Sequence, residues 1–266
     1  DVELSYISNN ISLLSSHLLK NPTDMALRKA TSTTDGDLLL LVNATDGSLA
    51  TYSILRGQNV IAPSLSTTDG TFEKVGVDVD QIYFVVKRTI SSSTKYYVEC
   101  FNDDNTTDSS KLLSGGSKPS TTTVTGLSHL EGKTVKVIAD DSMQNDKTVS
   151  SGQITLDAVP TTYVEIGLDY TPEVKTLPVE LKLSSGNIVA QKKRIIEATC
   201  NLYLSQNLTL NGKDFLFTVG SGQFFTGKKR RKPMLGFDRE GQMTFSQSSP
   251  LFFTLLGVEY KVSVGQ

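Results

Sequence analysis

Tryptophan is absent from the 266-residue chain, and histidine and cysteine occur only twice each. His17, His129, Cys100 and Cys200 are too few and too scattered for a structural metal site, which takes three or four ligands at suitable spacing. Two isolated thiols make no disulfide framework. Both lie in apolar, strand-like runs where a free thiol behaves as a small hydrophobe. Both are expected to be reduced, as suits assembly in a cytoplasm. No uninterrupted apolar run approaches the ~18–20 residues that a spanning helix needs, and no secretory signal is present. No membrane-spanning segment is therefore expected. Also missing are a G-x-S-x-G elbow, a P-loop or dinucleotide fingerprint and a calcium loop, since Asp78-Val79-Asp80 lacks the further oxygen ligands.

Charge of one sign is also missing overall. Lys and Arg number 26 against 28 Asp and Glu, a formal −2 that exerts no global pull on nucleic acid or anionic lipid. Its distribution is uneven. Between Lys182 and Lys232, the basic Lys192, Lys193, Arg194, Lys213, Lys228, Lys229, Arg230, Arg231 and Lys232 face only Glu197 and Asp214. The densest stretch, Lys228-Lys229-Arg230-Arg231-Lys232, repels itself along the chain, which predicts an exposed hairpin tip or mobile loop. It is the one candidate contact site, for phosphates or for an acidic subunit surface. No aromatics are interleaved with it as base stacking would require. Carboxylate pairs such as Asp103-Asp104 and Asp140-Asp141 read as turn residues that satisfy local backbone groups. His129 reads as structural, with Glu131 bonding a turn and Gly132 taking an unusual φ. No catalytic residue, cofactor or metal is assigned, and the chain is read as a non-enzyme.

What is present is strand pattern. Leu4, Ile7, Ile11, Leu14 and Leu18 predict one amphipathic helix over residues 3–20, ended at Asn21-Pro22. The chain enters this pattern at Asp1, as part of a longer polypeptide would. Asp37–Val42 and Leu49–Leu55 flank Asp46-Gly47 as a hairpin. Phe72–Val77, Gln81–Arg88 and Lys95–Phe101 continue a β-meander of the kind that builds a propeller blade or one sheet of a sandwich. Asp103–Thr123 is polar and reads as a long loop or linker. Val135, Val137 and Ala139 alternate with Thr134 and Lys136, with Ile138 as the exception. With Gln153–Leu156 and Tyr163–Leu168 they predict a small β-barrel or sandwich. From Ile188 the chain is again strand-like. Ile196, Ala198, Cys200, Leu202 and Leu204 form one face of a long strand, opposite Glu197, Thr199, Asn201, Tyr203 and Ser205. Phe215–Val219 and two closing strands follow. The organisation is thus a helix and linker at 1–22, a meander at 23–123, a small β-domain at 124–187 and a strand-rich platform at 188–266. The fold class is all-β: a propeller-like meander plus a small inserted β-barrel or sandwich domain, with one N-terminal amphipathic helix.

Several segments, in order, resemble one family. Gly126–Asp140 (GLSHLEGKTVKVIAD), Thr148–Leu156, Val164–Leu177 and Phe237–Val264 are similar to the corresponding parts of the tail tubular protein B, or tail nozzle, family of short-tailed bacteriophages. The opening Asp1–Ser8 resembles that family's helix after a propeller-like region. One departure is Asp141, where the family has Gly. The resemblance implies a virion component assembled in the host cytoplasm. It further implies a hexameric tail subunit that contacts portal or adaptor and other tail proteins and lets DNA pass without sequence recognition. The family has no catalytic motif to carry over. Two other functions fit a β-scaffold with polar loops: a host-surface adhesin for glycans, which the lack of Trp disfavours, and a polysaccharide hydrolase.

Overall fold

The computed structural model describes residues 10–32, 35–180, 182–183, 186–187, 191–217, 220–232 and 236–265. The chain divides into two units, Asp1–Asp104 and Asn105–Gln266. All its sheets are antiparallel, and among the described residues none closes into a barrel.

The helix expected over 3–20 does not extend through its described part. Residues 1–9 of it lie outside the described residues, and residues 10–20 form turns with a single 3-10 turn at Ser16–Leu18. Leu13 and Leu14 are exposed. Side chains compete with the helical ladder here. Asn10 accepts from the Ser12 N–H at 2.9 Å, and the Leu18 carbonyl accepts from Asn43 Nδ2 at 2.9 Å.

The first unit holds two meanders. Strands β1 (Pro22–Arg28), β2 (Asp37–Asn43), β3 (Leu49–Leu55) and β4 (Val60–Ser66) pair in that order. Strands β5 (Thr71–Asp78), β6 (Gln81–Ile90) and β7 (Ser93–Cys100) form a second sheet. Gly47 takes a φ of 66° in the β2–β3 connection, and a Cβ there would collide with Thr71 at 2.3 Å. Leu40, Val42 and Leu49 from one sheet share a core with Ile82, Phe84 and Val86 from the other. Arg88 lies on that buried face. Its guanidinium makes a two-pronged pair with Glu99, both contacts at 2.7 Å, and donates to the Asp69 carbonyl at 2.9 Å. β1 alternates, but with its apolar Met25 and Leu27 on the exposed side, and β4 is exposed throughout, so pattern reading does not find them.

In the second unit, β8 (Asp108–Ser114), β9 (Thr123–Thr125), β10 (Thr134–Ala139), β11 (Ser142–Met143), β12 (Lys147–Thr148), β13 (Gln153–Thr155) and β14 (Tyr163–Leu168) follow one another. They form a sheet ordered β11-β10-β14-β8 with β12 beside β10, and a β9–β13 ribbon. β8 corrects the long-loop reading of Asp103–Thr123: it pairs with β14 from Ser114↔Tyr163 to Asp108↔Leu168. Its polar sequence hides a strand whose partner, not its own pattern, specifies it. Val124, Leu127, Leu130, Val135, Val137, Val149, Ile154, Leu156, Val164 and Ile166 close one core between sheet and ribbon. Ile138 breaks the alternation because the other face is covered at that point: it and its register partner Glu165 are both buried.

The rest of the unit comprises β15 (Glu173–Lys175), β16 (Lys182–Leu183), β17 (Gly186–Asn187), β18 (Lys193–Ser205), β19 (Thr209–Leu210), β20 (Lys213–Asp214), β21 (Phe225–Arg231), β22 (Thr244–Ser246) and β23 (Thr254–Val264). Sheets run β15-β22-β19-β20, β16-β17 and β21-β18-β23. The strand expected at Phe215–Val219 is absent from its described residues, Phe215 to Phe217, and residues 218–219 lie outside the described set, as does Ile188. On β18, Ala198, Cys200 and Leu202 are buried as the alternation predicts. Ile196 and Leu204, expected on the same face, are exposed, and Ile195 and Ser205 are buried instead. Register shifts at Ile195/Glu197 and within Leu202–Ser205 exchange the faces at both ends, as an extra residue in one strand must.

Candidate functional site

Lys228-Lys229-Arg230-Arg231 is not a loop tip. It occupies most of β21, the edge strand that pairs with β18 from Ala198↔Arg231 to Ser205↔Phe225. Lys232 follows the strand and is exposed. The repulsion expected along the run is relieved because successive side chains leave opposite faces of a strand, which splits the cations into two pairs.

Lys228 and Arg230 stand on the solvent face. Lys228 Nζ reaches Glu259 Oε1 on β23 at 2.6 Å, and Arg230 Nε lies 3.4 Å from Glu197 Oε1 on β18. Both cations are more than half exposed, so these pairs are screened and contribute little to stability. Lys261 stands opposite Glu197 on the same face. Three cations against two carboxylates give this surface only a mild positive balance.

Lys229 and Arg231 turn to the other face and lie on aromatic rings. Lys229 Nζ is 4.6 Å from the Phe225 ring centre and 5.6 Å from that of Phe217, and it donates to the Leu216 carbonyl at 2.9 Å. The Arg231 guanidinium sits 5.8 Å from the Phe215 ring centre and donates to the Asp214 carbonyl. Cations over ring faces are held by the ring quadrupole, and their stems cover the rim of the apolar cluster formed by Phe215, Phe217 and Phe225. Phe225 opens the same strand, whereas Phe215 and Phe217 reach the run from a separate segment, so a search for interleaved aromatics within the run misses those two.

The remaining polar candidates resolve into local structure. Asp140 and Asp141 are the central residues of the two-residue β10–β11 hairpin, with φ of 50° and 61°. Asp141 thus adopts the conformation for which Gly is the easy choice. Burial alone raises the Asp140 pKa, but donors from Thr161, Thr162 and Tyr163 outweigh it and hold the carboxyl below its ordinary range. Burial, with a hydrogen bond from its hydroxyl to Asp141, pushes the Tyr163 phenol up. Glu131 accepts from the Ser151 and Gly152 N–H groups at 2.8 and 2.6 Å, and Gly132 has a φ of 75°. His129 Nε2 is 3.2 Å from the Ser109 carbonyl. Glu165 is buried and accepts from the backbone N–H groups of Thr106 and Thr107 at 2.9 and 2.7 Å. Burial still carries its pKa upward. Burial likewise pushes the Cys200 thiol up to about 11, which leaves it inert.

Among the described residues, no group of three or more His, Cys, Asp or Glu could hold a metal ion, and no helix is long and apolar enough to cross a membrane. A comparison with protein-family models finds no match, and none is found among curated proteins either.

Proposed function

We propose that the chain is a non-enzymatic structural subunit of a short-tailed phage tail, a nozzle or tubular protein that assembles as a hexameric ring around the DNA exit path. One observation carries this reading. Three successive stretches that resemble the family supply one core: Gly126–Asp140, Thr148–Leu156 and Val164–Leu177 contribute all of its fully buried residues except Val124. The closing stretch, Phe237–Val264, contributes β22 and β23 and buries Met243 and Phe245. An antiparallel meander of four strands, such as β1–β4, is also the unit from which propeller blades are built, which supports a propeller-like part.

The cationic strand fits a conduit that does not grip its cargo. A polyanion is retained in proportion to the cations that neutralise it, and Lys228 and Arg230 already face Glu259 and Glu197. Their exposed heads remain available to an acidic surface on a neighbouring subunit or on the portal or adaptor. Light scattering and negative-stain imaging of the protein should give a closed hexamer with a central channel. A species that stays monomeric or trimeric and captures glycans would replace this reading with the adhesin.

A further inference from the structure

β7 is an edge strand whose devices against pairing are few: no proline and no bulge, and its charges, Lys95 and Glu99, are of opposite sign. On β4 the edge carries Pro63, and on β21 it carries Lys and Arg, each of which discourages a further strand. β7, by contrast, has no proline and pairs with β6 without a register shift from Tyr83↔Cys100 to Ile90↔Ser93. The Phe101 N–H donates to the Ile82 carbonyl at 2.9 Å. That phase aims the backbone groups of Lys95, Tyr97 and Glu99 at β6, and those of Thr94, Tyr96, Val98 and Cys100 away from it. The side chains of this second set lie on the outer face, where Tyr96 is 63% and Val98 75% exposed. A straight edge with bare backbone groups and an exposed apolar stripe is a template for strand addition.

We propose that this edge receives β7 of a second copy of the chain, antiparallel and centred on Tyr97, so that two three-stranded sheets become one. Self-complementarity selects the occupant and the register. About that centre Tyr96 stands opposite Val98 of the other copy, covering both exposed side chains. Lys95 stands opposite the other copy's Glu99. Within its own sheet Lys95 is placed against Arg88, a like charge, and it has no ion pair among the described residues. The contact uses one patch twice, whereas a ring closes head to tail through two different patches. It therefore stands apart from the tail reading.

The centre on Tyr97 places Thr94 opposite Cys100 of the other copy, at a spacing a disulfide can bridge. The two Cys100 residues themselves lie too far apart. With diamide as the oxidant, Thr94→Cys should give a dimer on a non-reducing gel, while wild type and the Thr94→Cys/Cys100→Ser double variant should not. Val98→Lys, at a site too exposed to disturb folding, should keep the circular dichroism of wild type and weaken self-association by light scattering at least about tenfold. The idea is overturned if wild type has the mass of one chain at every concentration reached, or if Thr94→Cys gives no dimer. A hexamer that Val98→Lys leaves intact removes this contact but keeps the ring. A dimer that Val98→Lys dissociates, with no larger species, keeps this contact and removes the ring.

Discussion

Single residues carry much of the specificity of this fold. Arg88 is almost fully buried, and its charge is met by Glu99. Removing one partner of a buried pair leaves an uncompensated charge and costs about 3–5 kcal/mol. Glu99→Gln is therefore expected to destabilise the first unit by about 3 kcal/mol in urea titration. Asp46 shows the opposite situation, a carboxylate stabilised in its charged form. A hydrogen bond from the Lys20 ammonium, then one from Ser48, lowers its pKa from 3.8 to about 2. A depressed folded pKa contributes stability that is present above 3.8 and is lost as pH falls through about 2. Asp46→Asn should lower the Tm at neutral pH, and the wild-type and variant curves should converge at the acid end. Gly167 is constrained by crowding: a Cβ there would meet Thr107 Oγ1 at 2.3 Å, and Thr107 is one of the residues that hold Glu165.

At the scale of elements, turns and edges decide what the strands can do. Val79 opens the β5–β6 turn with a φ of 58° and is mostly in solvent. A β-branched residue is strained there. Relief of about 1–2 kcal/mol outweighs the roughly 0.5–1 kcal/mol that glycine costs in chain entropy. Val79→Gly should therefore raise the stability of the first unit by up to about 1 kcal/mol, measured as a higher denaturant midpoint at unchanged m-value. On β21, Lys228→Ser with Arg230→Ser should change stability by less than about 1 kcal/mol, because both ion pairs are solvent-screened. Phe225→Ala should cost more, since it removes a ring that packs on the apolar cluster and holds Lys229. β10 and β18 could be read from alternation, and β2 and β6 from apolar runs beside turn signals. β1, β4 and β8 could not be read, because they are too exposed or too polar for a pattern to mark a buried face. The ends of β18 were misassigned for a different reason: bulges shift the phase, and no residue type in Lys193–Ser205 marks them.

For the whole molecule, each unit has its own core, one around Leu40, Ile82 and Phe84 and others built from residues beyond Asn105. A fragment spanning 105–266 is expected to fold alone, with strand-type circular dichroism and a cooperative melt. Failure to fold would mean that its stability depends on the first unit.

By itself, the sequence determined the class of the protein and the positions of its half-buried strands, because a period of two is a direct imprint of one buried face. It also carried the resemblance to tail nozzle proteins. Only the tertiary structure decided that residues 10–20 turn instead of forming an α-helix, since Asn43, a distant residue, takes the groups a helix would use. Only the tertiary structure placed four consecutive residues of one charge, Lys228 to Arg231, along an edge strand. Charge repulsion was counted along the chain, but in a sheet the relevant neighbours lie across it: Glu197 and Glu259, with Phe215 and Phe217 brought in from another segment.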